Sequence, residues 1–165
     1  TTLLDATLDI CSGDFPSEKS RVLRRQVAAY KDGSPYSFLS TETVKYKDAF
    51  AAESALTDID NVVAKCKVAG GFKGADGALT KYAFSDAPKF VFADGVKGRV
   101  VLTLIGEGAS ARWLLGFFQI KGELAVNTYL VRAEKFTDAD IKRWSQVASE
   151  ISTRLSGYTP VNSSV

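Results

Sequence analysis

Between Asp48 and Lys67 the apolar residues Ala52, Leu56, Ile59, Val63 and Cys66 recur at alternating spacings of four and three. That period is one face of an α-helix, so the pattern predicts an amphipathic helix over residues 48–67 with Cys66 turned inward. Thr57 or Asp58 is a candidate cap for a second, shorter helix inside the same stretch. The same period returns near the end of the chain in Ile141, Trp144, Ala148, Ile151 and Leu155. Ahead of it, Thr137-Asp138-Ala139-Asp140 supplies a capping oxygen and acidic residues for the positive end of the helix, while Phe136 and Ile141 can close a hydrophobic staple. Gly157 is placed as its stop. A helix over 137–156 follows, packing its stripe on a sheet with Trp144 buried.

Between the two helical stretches the pattern changes to short apolar runs separated by turn residues. Leu79 to Phe84, Lys89 to Ala93, Arg99 to Ile105, Ala111 to Ile120 and Glu123 to Ala133 each read as a strand. Their connections are too short for parallel crossovers, which predicts an antiparallel meander. Residues 101–105 and 113–118 are apolar on both faces and belong at the centre, with a helix on at least one side. Gly70, Gly71, Gly74 and Gly77 mark the border between a helical first part and this strand-rich second part.

The first third is less legible. Leu4, Leu8 and Cys11 share a helical face, although Leu8 and Ile10 also suit a strand; the reading adopted is a short helix. For residues 17–30, Leu23, Val27 and Tyr30 support a helix with Arg21, Arg24 and Arg25 outward, while alternation and the turn signal Lys31-Asp32-Gly33-Ser34 equally suit the first arm of a hairpin. Tyr36 to Tyr46, rich in Thr, Tyr, Phe and Val, reads as strand. The predicted class is therefore α+β: one domain over 1–165, with an antiparallel sheet of about five to six strands within 79–133. The helix at 137–156 and helices in the N-terminal third pack it, and the tail from 158 is frayed.

Composition narrows the chemistry. Of 165 residues none is histidine, which removes Ser-His-Asp and Cys-His nucleophile systems, histidine-containing zinc sites and the commonest general base. Neither a phosphate-binding glycine loop nor an S-x-x-K pattern occurs. The net charge of +2 is too weak a field to imply a nucleic-acid partner, and no apolar run approaches the length of a membrane span. Asp58-Ile59-Asp60-Asn61 resembles the start of a calcium loop but lacks its glycine and distal glutamate, so it is read as an acidic helix start. No metal or cofactor is implied. Cys11 and Cys66, lacking C-x-x-C spacing, are expected to form a structural disulfide. Together with a first residue Thr1 and the absence of Met, this fits a mature exported protein of the periplasm or extracellular space.

The segment Gly106-Glu107-Gly108-Ala109-Ser110, followed by Arg112 and Trp113, is a slim polar loop between two apolar strands. Arg and Trp are frequent interface anchors, so this loop is the candidate partner-binding element. The aromatic series Tyr82, Phe84, Phe90, Phe92, Trp113, Phe117, Phe118 and Tyr129 reads as core, or equally as the lining of a ligand pocket. In organisation the chain resembles small periplasmic immunity proteins and lysozyme inhibitors of bacteria, and in its order of strands before a terminal helix it also resembles lipoprotein-like domains of the PsbP type. The leading expectation is a non-catalytic exported binding protein that occludes the cleft of a partner, such as a secreted enzyme, with residues 106–113. The alternative is a carrier of a small apolar ligand or lipid between sheet and terminal helix. A hydrolase built on paired carboxylates comes third.

Overall fold

The computed structural model describes residues 3, 5–33 and 37–160. Leu4, Ser34, Tyr36 and the tail beyond Pro160, all used above, lie outside them. Seven strands, β1 (Arg21–Lys31), β2 (Ser37–Tyr46), β3 (Gly71–Lys73), β4 (Leu79–Ser85), β5 (Lys97–Ile105), β6 (Arg112–Lys121) and β7 (Leu124–Arg132), form one antiparallel sheet in the order β1-β2-β7-β6-β5-β4-β3. Two α-helices, α1 (Ala49–Ala69) and α2 (Asp138–Ser156), lie on its opposite faces. The class is α+β, as the periodicities predict. Four of the strands fall within 79–133, and three more precede them.

α1 begins where Asp48 accepts a hydrogen bond from the Ala51 amide, and ends at Gly70, whose φ of 70° suits a residue without Cβ. Thr57 and Asp58 therefore start no second helix; they lie inside one continuous helix. At the start of α2, Thr137 and Asp140 cap each other reciprocally. β5, β6 and β7 carry the continuous apolar runs because both of their faces are covered. On one face α1 and residues 7–15 bury Val44, Tyr46, Leu114, Phe118, Ile120 and Tyr129. On the other α2 packs on Leu102, Leu115, Phe117 and Leu130. The aromatic series divides accordingly: Tyr82, Phe84, Phe118 and Tyr129 face α1, whereas Phe90, Trp113 and Phe117 face α2.

Further expectations are corrected. Residues 89–93 form no strand. Phe90 and Phe92 alternate as a strand would, but the segment lies across the α2 face, with the Phe90 ring 5.4 Å from Phe117 and the Ala93 amide bonded to Ser152 Oγ at 2.8 Å. Its alternation is satisfied by packing on a face rather than by a ladder.

Among the described residues the N-terminal third holds no α-helix before Ala49, only a 3-10 turn at Pro16–Ser20. Residues 5–15 are irregular because side chains take up their backbone groups. Glu18 accepts from the amides of Thr7 and Leu8 (2.9 and 2.8 Å), and Arg21 donates to the carbonyls of Leu3 and Asp5 (2.8 Å each).

Residues 21–31 are the hairpin arm, and Arg21 and Arg24 are buried rather than outward; only Arg25 faces solvent. The spacing of Leu23, Val27 and Tyr30 marks no buried face, since all three are exposed on the edge strand.

Trp144, finally, is half-buried. The buried residues of α2 are Ala148, Ser152 and Leu155, all in its C-terminal half, where small side chains let the helix approach the sheet. Ile141 and Trp144, in its first turns, pack against the same core but are only half-buried.

Cys11 and Cys66 form a disulfide, with Cα atoms 6.2 Å apart, tying the irregular N-terminal segment to α1. Cys11 and Ser12 both adopt positive φ (56° and 44°), an unfavourable backbone for residues with a Cβ, at the point where the bridge and the Ile10–Gly13 turn pin the chain.

Candidate functional site

The loop between β5 and β6 closes with a 3-10 turn at Gly108–Ser110, and Glu107 to Ser110 are exposed. It is braced by β4 and by its own side chains. The Gly106 amide donates to Lys81 O at 2.8 Å, Lys81 pairs with Glu107 at 2.7 Å, and Ser110 Oγ donates to Glu107 O at 3.0 Å. Arg112 donates to the carbonyls of Ala109 and Ala111 (3.1 and 2.8 Å), so its guanidinium supports the loop backbone. Trp113 is half-buried in the α2-side core, with Lys135 Nζ 5.6 Å from its ring. Of the seven residues singled out in this region, Gly106 to Ser110 form the tip and Arg112 and Trp113 its base.

Two concavities open at the same end of the sheet, one on each face. On the α2 side a cavity of about 360 Å³ is lined by Tyr30, Phe38, Leu39, Leu130, Phe136 and Trp144, among others. Along it Trp144 of α2 is only half-buried, whereas Ala148, Ser152 and Leu155 further along the helix are buried. Arg132 stiffens its wall by donating to Asp140 and to the carbonyls of Glu134 and Lys135 while lying 4.5 Å from the Phe136 ring. The bonds from Arg132 and Thr137 hold the Asp140 carboxyl well below the usual carboxylate range.

On the α1 side a cavity of about 320 Å³ lies between residues 6–9 and the sheet, lined among others by Phe38, Ser40, Glu42, Tyr82, Ile105 and Tyr129. Register accounts for its polar wall. Ser40, Glu42, Val44 and Tyr46 alternate on the inward face of β2, opposite Tyr129, Asn127 and Ala125 of β7. Glu42 pairs with Arg24, and both side chains are almost wholly buried, 2% and 3% exposed. Burial pushes the Glu42 carboxyl above its ordinary range against the pull of Arg24. Tyr129 Oη donates to Thr7 O at 2.8 Å, and full burial raises the phenol well above its ordinary value.

Arg24 and Glu42 were not among the residues singled out in the sequence. The signal for Glu42 was an acidic residue at an inward position of an alternating strand. Asp58 and Asp60, by contrast, are occupied structurally: Asp58 accepts from the Ser17 amide at 2.9 Å, and Asp60 takes both arms of Arg99 at 2.7 Å.

No protein-family model matches the chain, and no curated protein matches it. Among solved structures it is similar to the extracellular domain of PknH from Mycobacterium tuberculosis, with a TM-score of 0.57 and 12% sequence identity. The match covers 84% of this chain and 66% of that one, so the chain spans about two thirds of the length of that domain. At this identity the likeness is one of fold.

Proposed function

We propose that the protein is a non-catalytic exported binding domain that carries a small apolar ligand or lipid between the sheet and α2. The observation that carries this reading is the half-buried Trp144, which with Phe136, Leu39 and Leu130 lines a cavity of about 360 Å³ where a closely docked helix would leave none. Its volume falls within the range of small-molecule sites, roughly 300 to 1,000 Å³. The disulfide and the similarity to an extracellular domain support export, and no helix among the described residues is long and apolar enough to cross a membrane.

A Trp113→Phe variant leaves Trp144 as the only indole reporter. Titration with octanol should change its emission saturably, and Leu39→Arg, which brings a charge into the cavity, should abolish the change. Absence of a saturable change, together with no extractable small molecule from protein purified from its source, would overturn the carrier reading.

One observation favours a second reading, the occlusion of a partner enzyme by residues 106–113. The exposed tip Glu107 to Ser110 is held by its own hydrogen bonds and would lose little conformational entropy on docking. Under this reading Ser110→Trp weakens capture of the partner by tenfold or more while circular dichroism stays unchanged. Equal capture by both proteins removes it.

A further inference from the structure

The α1-side cavity contains a buried acceptor with nothing to accept. Glu42 lines it, is 2% exposed at its side chain, and pairs with Arg24 through Oε1, while Oε2, like Arg24 Nε, has no hydrogen-bond partner among the described residues. Buried polar atoms are rarely left so, since an unmet acceptor costs most of its lost hydration. The other polar groups of the wall are already engaged with one another. Gln26 donates to Ser40 Oγ at 2.9 Å, and the Tyr129 hydroxyl donates to Thr7 O. Asp9, exposed, supplies a second carboxylate to the lining, and no Lys or Arg belongs to it. Phe38, Tyr82 and Tyr129 contribute rings, and Ile105, Leu114 and Val131 contribute aliphatic surface.

We propose that this cavity is a binding site for a small primary amine on an apolar body, whose ammonium donates to Glu42 Oε2 while aromatic and aliphatic side chains enclose the rest. Each part of the lining selects for one part of that ligand. A carboxylate oxygen without a donor calls for an N–H, and with Glu42 balanced by Arg24 the remaining charge of the lining, the exposed carboxylate of Asp9, favours a cation over an anion. Aromatic rings attract an ammonium through their quadrupole and cover an apolar body at the same time. Arg24 holds the carboxylate in place through its other oxygen, so the acceptor is positioned before the ligand arrives. The site shares Phe38 and Val131 with the lining of the α2-side groove but opens on the other face of the sheet, and it does not depend on the carrier reading.

The test is a titration of the full chain with benzylammonium, followed by two-dimensional amide NMR. Saturable shifts are expected at Ser40, Glu42, Leu114 and Tyr129, with benzyl alcohol and benzoate at least tenfold weaker. Glu42→Gln keeps a bond to Arg24 but removes the anion, and should weaken benzylammonium by tenfold or more. Ile105→Trp, at a half-buried wall position, should fill the cavity and abolish the shifts while leaving the melting temperature close to that of the parent; it decides the matter if the Glu42 variant does not fold. Equal binding of benzyl alcohol, persistence of binding in Ile105→Trp, shifts confined to Leu39, Leu130 and Trp144, or no saturable shift at all would each overturn the proposal.

Discussion

Gln119, wholly buried in β6, donates from Nε2 to the backbone carbonyl of Ala148 at 3.0 Å and so joins the sheet to the middle of α2. Its Oε1 has no partner among the described residues. The hydrogen bond and the stranded acceptor offset each other, and burial of the chain itself supplies the stability. Gln119→Met should therefore stay within about 1 kcal/mol of the parent, whereas Gln119→Ala leaves a cavity and should cost about 2 to 4 kcal/mol. Urea unfolding of both variants separates the two effects; a large loss in the Met variant would mean that the hydrogen bond dominates.

The bridge between Cys11 and Cys66 closes a loop with a sequence separation of 55. Chain entropy assigns such a loop about 4 kcal/mol. The paired Cys11→Ser, Cys66→Ser variant should lose an amount of that order in denaturant unfolding. Residues 7–15, which the bridge pins to α1, should lose amide protection from hydrogen exchange before the sheet does.

Asp140 titrates below the ordinary carboxylate range because the folded state favours its charged form through Arg132 and Thr137. A depressed folded value adds stability above the unfolded value, near pH 4, and the contribution disappears as pH falls through the folded value. Asp140→Asn should accordingly melt below the parent at pH 6, and the gap should narrow steadily below about pH 4. A gap independent of pH would show that the cap acts through geometry alone.

Trp144 is half-buried, so Trp144→Ala should cost about 2 kcal/mol, less than the 3 to 5 kcal/mol typical of truncating a fully buried aromatic residue. The parent emission, read in the Trp113→Phe background, should lie between the buried and exposed limits. A fully buried spectrum would close the groove assigned to the ligand.

Both α-helices were legible in the chain, because a stripe of period near 3.6 together with a cap such as Asp48 or Thr137 is written in neighbouring residues. The four strands from Leu79 to Arg132 were legible for the same reason, through apolar runs and short turns. The absence of histidine, which excludes a large part of catalytic chemistry, was also plain from sequence. Tertiary structure decided where local pattern carries two meanings. Residues 21–31 became an edge strand because β2 offered a ladder, and residues 89–93 became a face-packed segment because Phe90 found Phe117 and the Ala93 amide found Ser152 Oγ. The two cavities were decided at the same level. One depends on how α2 packs on the sheet, and the other on Glu42 meeting Arg24 across the β1–β2 ladder. Both are distances between elements, set by packing and register, and no run of neighbouring residues encodes them.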